Sequence, residues 1–207
     1  MTRPAQHLLR VPLSKLRPTQ LTVGMAEVRL KRERWAGLKP KARRNLLESH
    51  WFPAVRGPGD LHFIVDHHHL GRALHEEAVE RVWVLQLADL SELAGDTFWR
   101  VMEFHRWAHP FDERGRRRDC DRIPEKLSAL RDDPYRSLAG FVREAGGFAK
   151  DTEPFTEFLW ADFFRARIPV KSLVGVGEPM AAAALARAVE LARDQVARYL
   201  PGWHGAQ

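Results

Sequence analysis

The sequence predicts an α+β fold, in which a small mixed sheet with helices is followed by a helical C-terminal half. Short apolar runs typical of strands lie before about residue 90, at residues 8–13, 53–56, 61–65 and 82–87. After that point apolar residues recur at helical spacing, most clearly at residues 155–167 and 180–200. We therefore predict an α+β domain over residues 1–90 and a helical region over 91–207, which share a core because no flexible linker separates them.

Proline and glycine set the ends of elements in the first domain. Pro18 lacks a backbone N–H and restricts Arg17, so the first strand is expected to stop there. Helical spacing of apolar residues predicts helices at residues 23–35 and 41–50. Residues 57–60, Gly-Pro-Gly-Asp, predict a tight turn with hairpin character between two strands.

Capping residues set the helices of the second half. Asp89 or Ser91 is expected to cap a helix that runs to about residue 109, just before Pro110. A short helix is predicted over residues 123–130. The helix after it starts with residue types typical of an N-cap and a first helical position, Asp133 and Pro134.

Composition narrows the classes of function. The chain has 207 residues, of which 44% are hydrophobic, as expected of an ordinary globular domain. No apolar run reaches the roughly 18 residues that span a bilayer, so we expect no membrane partner. Cys120 is the only cysteine, which excludes an intrachain disulfide and fits a reducing cytoplasm. A net charge of +6 admits nucleic acid or phosphorylated partners.

The stretch from Leu61 to Glu77 contains the strongest candidate site. An apolar strand leads almost without a loop into a helix from about His68, which directs the first N–H groups of the helix at whatever lies above the strand end. The imidazoles of His67, His68 and His69 and the guanidinium of Arg72 add donors for a phosphate. Asp66 would repel a bare phosphate unless it binds Mg²⁺, caps the helix or acts as a base.

Other interpretations of this stretch stay open. In a purely structural interpretation, Asp66 caps the helix and the histidines fill the junction between strand and helix, so no ligand is needed. A zinc site would need distant ligands, such as His105 or His109, because the stretch has no His-x-x-x-His pair. A nucleophilic triad is disfavoured, since no Gly-x-Ser-x-Gly elbow occurs and Cys120 has no base nearby in sequence.

Two further features have both a structural and a functional interpretation. Glu27 lies on or beside the apolar stripe of the first helix. It is interpreted either as a carboxylate at the rim of the core that pairs with Lys31, or as a carboxylate that points into a functional site. A basic loop is expected to be solvated or to contact phosphates of nucleic acid through Arg114, Arg116, Arg117 and Arg118.

The segment Val-Asp-His-His-His-Leu at residues 65–70 resembles the Asp-Gly-His-His-Arg element of ParB-like proteins, and more loosely the Gly-Cys-His-Arg element of sulfiredoxin, in the ParB-like and sulfiredoxin-fold superfamily. Flanking segments look like the branch described as "putative ParB-like nuclease" proteins, among them residues 16–20, 133–140 and 155–163. The resemblance implies a small α+β domain that binds nucleotide phosphates at the strand–helix turn. Members include CTP-binding partition proteins, ATP-using sulfiredoxins and an ADP-dependent serine kinase.

The resemblance implies roles for particular residues. Asp66, His68 and His69 match the acidic and two imidazole positions, and Glu27 matches by position a base that activates an acceptor hydroxyl. Two positions depart from the pattern, because His67 replaces a glycine and Leu70 replaces an arginine. Arg72 or a distant arginine would have to replace that arginine as the phosphate clamp.

These observations give three hypotheses. The first is a domain that binds ATP, ADP or CTP with Mg²⁺ held by Asp66, and transfers a phosphoryl group to a small molecule with Glu27 as base. The second is a DNA-binding partition-type protein, although no helix-turn-helix is evident. The third is a metal-dependent nuclease. The nucleotide, the acceptor and the oligomeric state are not determined by the sequence.

Overall fold

The computed structural model describes residues 8–173 and 180–205. Contacts between Cα atoms divide them into two compact units. The first unit contains the described residues up to Thr22, together with Val28–Asp112 and Arg116–Arg131. The second contains Val23–Glu27, Glu113–Gly115 and the described residues from Asp132 onward. The domain boundary expected near residue 90 stays a prediction.

The described residues form seven strands and seven α-helices. The strands are β1 Leu8–Pro12, β2 Leu16–Arg17, β3 Thr22–Val23, β4 Phe52–Gly57, β5 Leu61–Ile64, β6 Arg81–Asp89 and β7 Arg131–Asp132. The helices are α1 Met25–Ala36, α2 Pro40–Ser49, α3 His68–Glu76, α4 Gly95–Phe104, α5 Pro134–Glu144, α6 Thr156–Arg165 and α7 Ala182–Arg193. The predicted α+β class, with helices after the sheet, is confirmed. No helix in the described ranges is long and apolar enough to cross a bilayer.

A five-stranded mixed sheet is the centre of the first unit, in the order β1-β6-β4-β5-β2. Strands β1 and β6 are antiparallel, as are β4 and β5, whereas β4–β6 and β2–β5 are parallel. The turn between β4 and β5 is a 3₁₀ turn in which Gly59 and Asp60 have φ of 70° and 56°. The hairpin expected at residues 57–60 is therefore present.

Helices cover both faces of this sheet. On one face α3 lies against Phe52 and Ile64, and it approaches closely because Gly71 has no side chain: a Cβ there would be 3.3 Å from Phe52 and 3.5 Å from Ile64. On the other face Phe63 packs against Phe98 of α4, with ring centroids 4.6 Å apart. The alternation of Phe63 and Ile64 between faces follows from the two-residue period of a strand.

The second unit is a helical cluster with an aromatic core. Trp160 of α6 is fully buried and stacks on Phe148 at 4.2 Å. Its indole N–H donates to the Pro201 carbonyl at 2.9 Å. The hydroxyl of Tyr135 donates to the Ile168 carbonyl at 2.6 Å. Both amphipathic aromatic side chains thus bury their rings and satisfy their polar atoms.

The helix expected from Asp89 or Ser91 to about residue 109 is shorter than predicted. Asp89 instead accepts hydrogen bonds from the N–H and hydroxyl of Ser91, an Asx turn that precedes α4. The helix ends at Phe104, well before Pro110, because Arg106 adopts φ of 57°.

Two other helix predictions need correction. Residues 123–130 form only a 3₁₀ turn, Leu127–Ala129. The long C-terminal helix expected to Leu200 ends at Arg193, because Asp194 is extended, at ψ of 150°, and its carboxylate accepts from the N–H of Val196. The aspartate side chain competes with the helix for backbone donors at that point. Asp133 does cap α5, accepting from the N–H of Tyr135 at 3.0 Å.

Candidate functional site

The strand-to-helix turn at the start of α3 has an unusual backbone. β5 ends at Ile64 and α3 begins at His68, so the turn has only three residues. His67 is the N-cap residue and adopts the left-handed conformation, with φ of 64° and ψ of 25°. The side chain of this N-cap residue makes no cap hydrogen bond to the helix. The N–H groups of its first turn therefore lack acceptors inside the helix and point beyond its N-terminus.

Asp66 is not the cap of α3. Its carboxylate accepts from the N–H of His67, the next residue, at 2.6 Å, rather than from an N–H inside the helix. The side chain is 73% exposed and its second oxygen lies 3.7 Å from the His67 ring. A carboxylate this exposed can accept a cation from solvent or release its own hydrogen bond. The metal-binding role predicted for Asp66 stays a prediction.

His68 is buried and holds the start of α3 to the segment after β2. Its Nε2 accepts from the N–H of Thr19 at 3.1 Å, and the Thr19 hydroxyl donates to the Ile64 carbonyl at 2.8 Å. Because Nε2 accepts, the proton of the neutral ring is on Nδ1. Thr19 is a site residue that the sequence analysis missed, since only its position after Pro18 marks it.

The other two histidines differ in exposure. His69 is buried, at 8% exposure, whereas the His67 side chain is 34% exposed. The His67 ring makes an edge contact with Phe52, with centroids 6.0 Å apart. The three consecutive imidazoles therefore have different surroundings, with His67 at the surface and His68 and His69 buried.

Arg72 is engaged within the first unit. Its Nε donates to Glu76 at 2.6 Å, and one terminal nitrogen is shared by the carbonyls of Leu127, Ser128 and Leu130. The guanidinium thus fixes the 3₁₀ turn beside α3, with a side chain that is only 16% exposed. A phosphate role for Arg72 stays a prediction and requires that these bonds be exchanged.

Glu27 belongs to the second unit, where it is buried at 7% exposure and is not a rim carboxylate. Its carboxylate fits against α5 because residue 140 is glycine: a Cβ there would lie 2.2 Å from Oε1. Glu27 is in the first turn of α1, and Ser137 holds this turn because its hydroxyl accepts a hydrogen bond from the N–H of Ala26 at 3.2 Å.

A second carboxylate lies next to Glu27. Ligand atoms of Glu27 and Glu157 are within 4.8 Å of each other. Glu157 also pairs with Arg143, and with Arg136 at 3.9 Å. The Arg136 side chain is buried and its guanidinium stacks 3.6 Å from the Phe158 ring. This group combines two acids with two cations in the second unit, a balanced arrangement for buried charge.

The basic loop is partly neutralised by acids. Arg117 donates to Glu103 at 2.5 Å, and Arg118 donates to the buried carboxylate of Asp112 at 2.7 Å. The N–H of Arg116 donates to the same aspartate at 2.9 Å. The ion pairs lower the positive potential expected from the sequence at this loop.

The histidines considered as distant zinc ligands lie against aromatic rings. His105 stacks on Trp107 at 4.4 Å, and His109 stacks on Phe111 at 4.2 Å. A stacking role accounts for both rings without a metal ion.

Comparison with known proteins identifies the family. A family model described as "Putative ParB-like nuclease" matches residues 9–166, three quarters of the chain. The crystal structure of protein Atu1540 from Agrobacterium tumefaciens is 44% identical, with a TM-score of 0.89, and the match covers 99% of this chain and 100% of that chain. No curated protein matches. The chain, with its short turn from β5 into a histidine-rich helix, therefore belongs to the ParB-like family that this description names.

Proposed function

We propose that this ParB-like domain binds the phosphates of a nucleotide, ATP, ADP or CTP, at the start of α3. The observation that carries the proposal is the turn itself: α3 follows β5 after three residues, from a left-handed His67 whose side chain does not cap the helix. The first-turn N–H groups and the positive end of the helix dipole favour an anion there. The partly exposed His67 ring supplies a further donor.

Asp66 gives the proposal its metal dependence. Its exposed carboxylate accepts a hydrogen bond from the His67 N–H. A phosphate without a metal ion would be repelled by this carboxylate, and the His67 N–H would already be bonded. A Mg²⁺ ion between this carboxylate and the phosphates would remove the repulsion. Nucleotide binding is therefore expected to need Mg²⁺, with Asp66 as the protein ligand.

Phosphoryl transfer to a small-molecule acceptor is the catalytic extension of this proposal. Glu27 would take the proton of the acceptor hydroxyl, the role implied by the resemblance. Its burial in the second unit supports a specific role over that of a surface carboxylate. Glu27→Gln should abolish phosphoryl transfer and leave nucleotide affinity unchanged; a loss of affinity equal to the loss of rate would contradict the role as base.

The test of nucleotide binding compares two nearly isosteric variants. His67→Asn and His67→Asp both suit a left-handed residue, but the second adds a carboxylate that can cap α3. Calorimetric titration with each nucleotide and Mg²⁺ should show binding to wild type and to His67→Asn, and a loss of at least about tenfold in His67→Asp. Equal affinities in the two variants, or no saturable binding to wild type, would rule out the site.

Asp66→Asn separates the two effects of the aspartate. If Asp66 holds Mg²⁺, the variant loses the Mg²⁺-dependent part of nucleotide binding. If the carboxylate only repels phosphate, the variant binds nucleotide more tightly without Mg²⁺. The second result would remove the metal from the proposal and keep the phosphate site.

DNA binding and nuclease activity remain the alternative functions. The pairing of Arg117 with Glu103 and of Arg118 with Asp112 leaves fewer cations for a DNA backbone than the sequence suggests. A mobility shift at low salt whose affinity falls steeply with added salt would favour DNA binding. Plasmid cleavage that stops on addition of a chelator would favour the nuclease.

A further inference from the structure

A cavity of about 350 Å³ lies in the first unit, apart from the start of α3. It opens over the sheet where residues of four strands and the β4–β5 turn meet. The apolar part of its lining comes from β1, with Leu9, Val11 and Pro12. The volume is within the range of small-molecule sites, which are commonly about 300–1,000 Å³.

The cavity and α3 lie over the same sheet face, at opposite ends of β5. His62, which lines the cavity, is two residues from Ile64, which α3 covers, so both side chains point to one face. Arg56 is opposite His62 in the β4–β5 register and shares that face. The chain passes through β5 from the cavity end to the α3 end, so the two places are distinct.

His62 is the feature of the cavity that calls for a ligand. The residue is 5% exposed, and its Nδ1 has no hydrogen-bond partner within residues 8–173 and 180–205. A buried polar atom without a partner costs about 1–3 kcal/mol, so such atoms are rare in native proteins unless a ligand or water completes them. Burial lowers the pKa of the His62 ring, which favours its neutral form.

The rim above His62 is cationic. Lys15 and Arg56 line the cavity, with Asp60 as the acid among the lining residues. Arg10 also borders it, but Arg10 alternates with Leu9 and Val11 along β1, so its side chain belongs to the opposite face. Asp60 pairs with Lys15 and with the Nε of Arg56 at 3.2 Å. These pairs are 40–54% exposed, so they contribute little to stability and exchange readily for a ligand. The amide of Gln86 adds a neutral donor and acceptor.

We propose that this cavity is a binding site for a small organic anion, whose carboxylate or phosphate lies between Lys15 and Arg56 and whose apolar body lies on Leu9 and Val11. The His62 ring supplies a hydrogen bond to the bound molecule. The anion also favours the protonated ring, so binding takes up a proton at His62. Lys15 and Arg56 oppose that protonation, whereas Asp60 and Asp89 favour it.

The probes that test this site are benzoate, phenyl phosphate and the neutral benzamide. Titrations of the full chain, followed by NMR of backbone amides and of the His62 ring, should show saturable binding of at least one anion and none of benzamide. Comparison of benzoate with phenyl phosphate distinguishes a carboxylate from a phosphate ligand. The bound anion should raise the pKa of the His62 ring, and added NaCl should weaken binding.

Matched variants locate the binding. The Lys15 side chain is 41% exposed, so Lys15→Ala leaves the fold intact, and it should weaken anion binding about tenfold or more. Arg10→Ala, on the opposite sheet face, and Arg44→Ala, on α2, replace exposed arginines and should not change it. No saturable binding of either anion, equal binding of benzamide, or an affinity unchanged in Lys15→Ala would overturn the proposal. His67→Asp should leave these affinities unchanged, which separates this site from the nucleotide site.

Discussion

Two buried histidines of the first unit, His62 in β5 and His68 at the start of α3, differ in what they contact. His68 accepts a hydrogen bond from the Thr19 N–H and joins two segments of backbone. His62 has an Nδ1 without a partner in the described residues and lines a cavity. In the sequence the run of three histidines attracts attention and His62 does not. The comparison teaches that the bonding of a histidine, rather than its neighbours in sequence, separates a structural ring from one available to a ligand.

Replacement of each histidine tests this difference, and we expect the largest effect at His68. His68→Leu removes the acceptor of the buried Thr19 N–H and should lower the free energy of unfolding by about 1–3 kcal/mol. His62→Leu removes a buried atom that lacks a partner and should change it by less than about 1 kcal/mol. Urea unfolding of both variants measures the difference, and equal losses would contradict it.

The second prediction uses the pH dependence of stability. Burial, partly offset by Asp60, lowers the pKa of His62 in the folded chain below its ordinary value of 6.5. Just below pH 6.5 the unfolded chain then binds more protons than the folded chain, so the free energy of unfolding falls as pH falls. Above pH 6.5 both states have a neutral ring and the contribution is complete.

The control for the pH experiment is His62→Leu, which should lose less stability than wild type on acidification below pH 6.5. Other groups titrate in both proteins, so only the difference between the two curves is assigned to His62. Parallel curves would show that His62 titrates alike in both states. A saturating anion in the cavity should make the wild-type curve flatter, because it favours the protonated ring.

The third prediction concerns the left-handed residue at the other end of β5. His67→Gly removes the cost of φ of 64° for a side chain and should raise the free energy of unfolding by up to about 1 kcal/mol. Ala78→Gly is a matched control, since Ala78 has φ of 51° at the far end of α3. Both should stabilise by similar amounts in thermal unfolding, whereas only His67→Gly should alter nucleotide affinity. A change in nucleotide affinity in Ala78→Gly would argue against a site at the helix start.

The smallest effect is expected for Cys120, on the sheet face opposite to the cavity and α3. Cys120 lies in the apolar cluster that includes Phe98 and Met102, and burial raises the pKa of its thiol to about 12. Reaction with a thiol reagent at pH 8 should be slow in the folded chain and fast in denaturant. Rapid labelling of the native protein would show that this face opens. The cavity and α3 are on the other face of the sheet. A ligand bound at either place should therefore slow labelling of Cys120 only by raising the free energy of global unfolding.

Much of the fold follows from patterns that are local in sequence. The apolar run of β5, the turn at residues 57–60 and the Asp133–Pro134 start of α5 depend on neighbours within a few residues, and the structure contains all three. The helices mispredicted near residue 90 and after Arg193 failed for an equally local reason. The side chains of Asp89 and Asp194 accept hydrogen bonds from backbone N–H groups. The periodicity of apolar residues carries no information about such bonds.

The sequence by itself determined the α+β class, the ParB-like resemblance and the strand-to-helix turn at residues 64–68, because strand and helix periods and capping chemistry are properties of short segments. Only the tertiary structure decided that Thr19 holds His68, that carbonyls from residues 127–130 hold Arg72, and that Lys15, Arg56 and His62 line one cavity. Those contacts join residues up to 58 positions apart. The order of strands in the sheet brings the cavity residues together, and the strand order cannot be deduced from the pattern of any one strand.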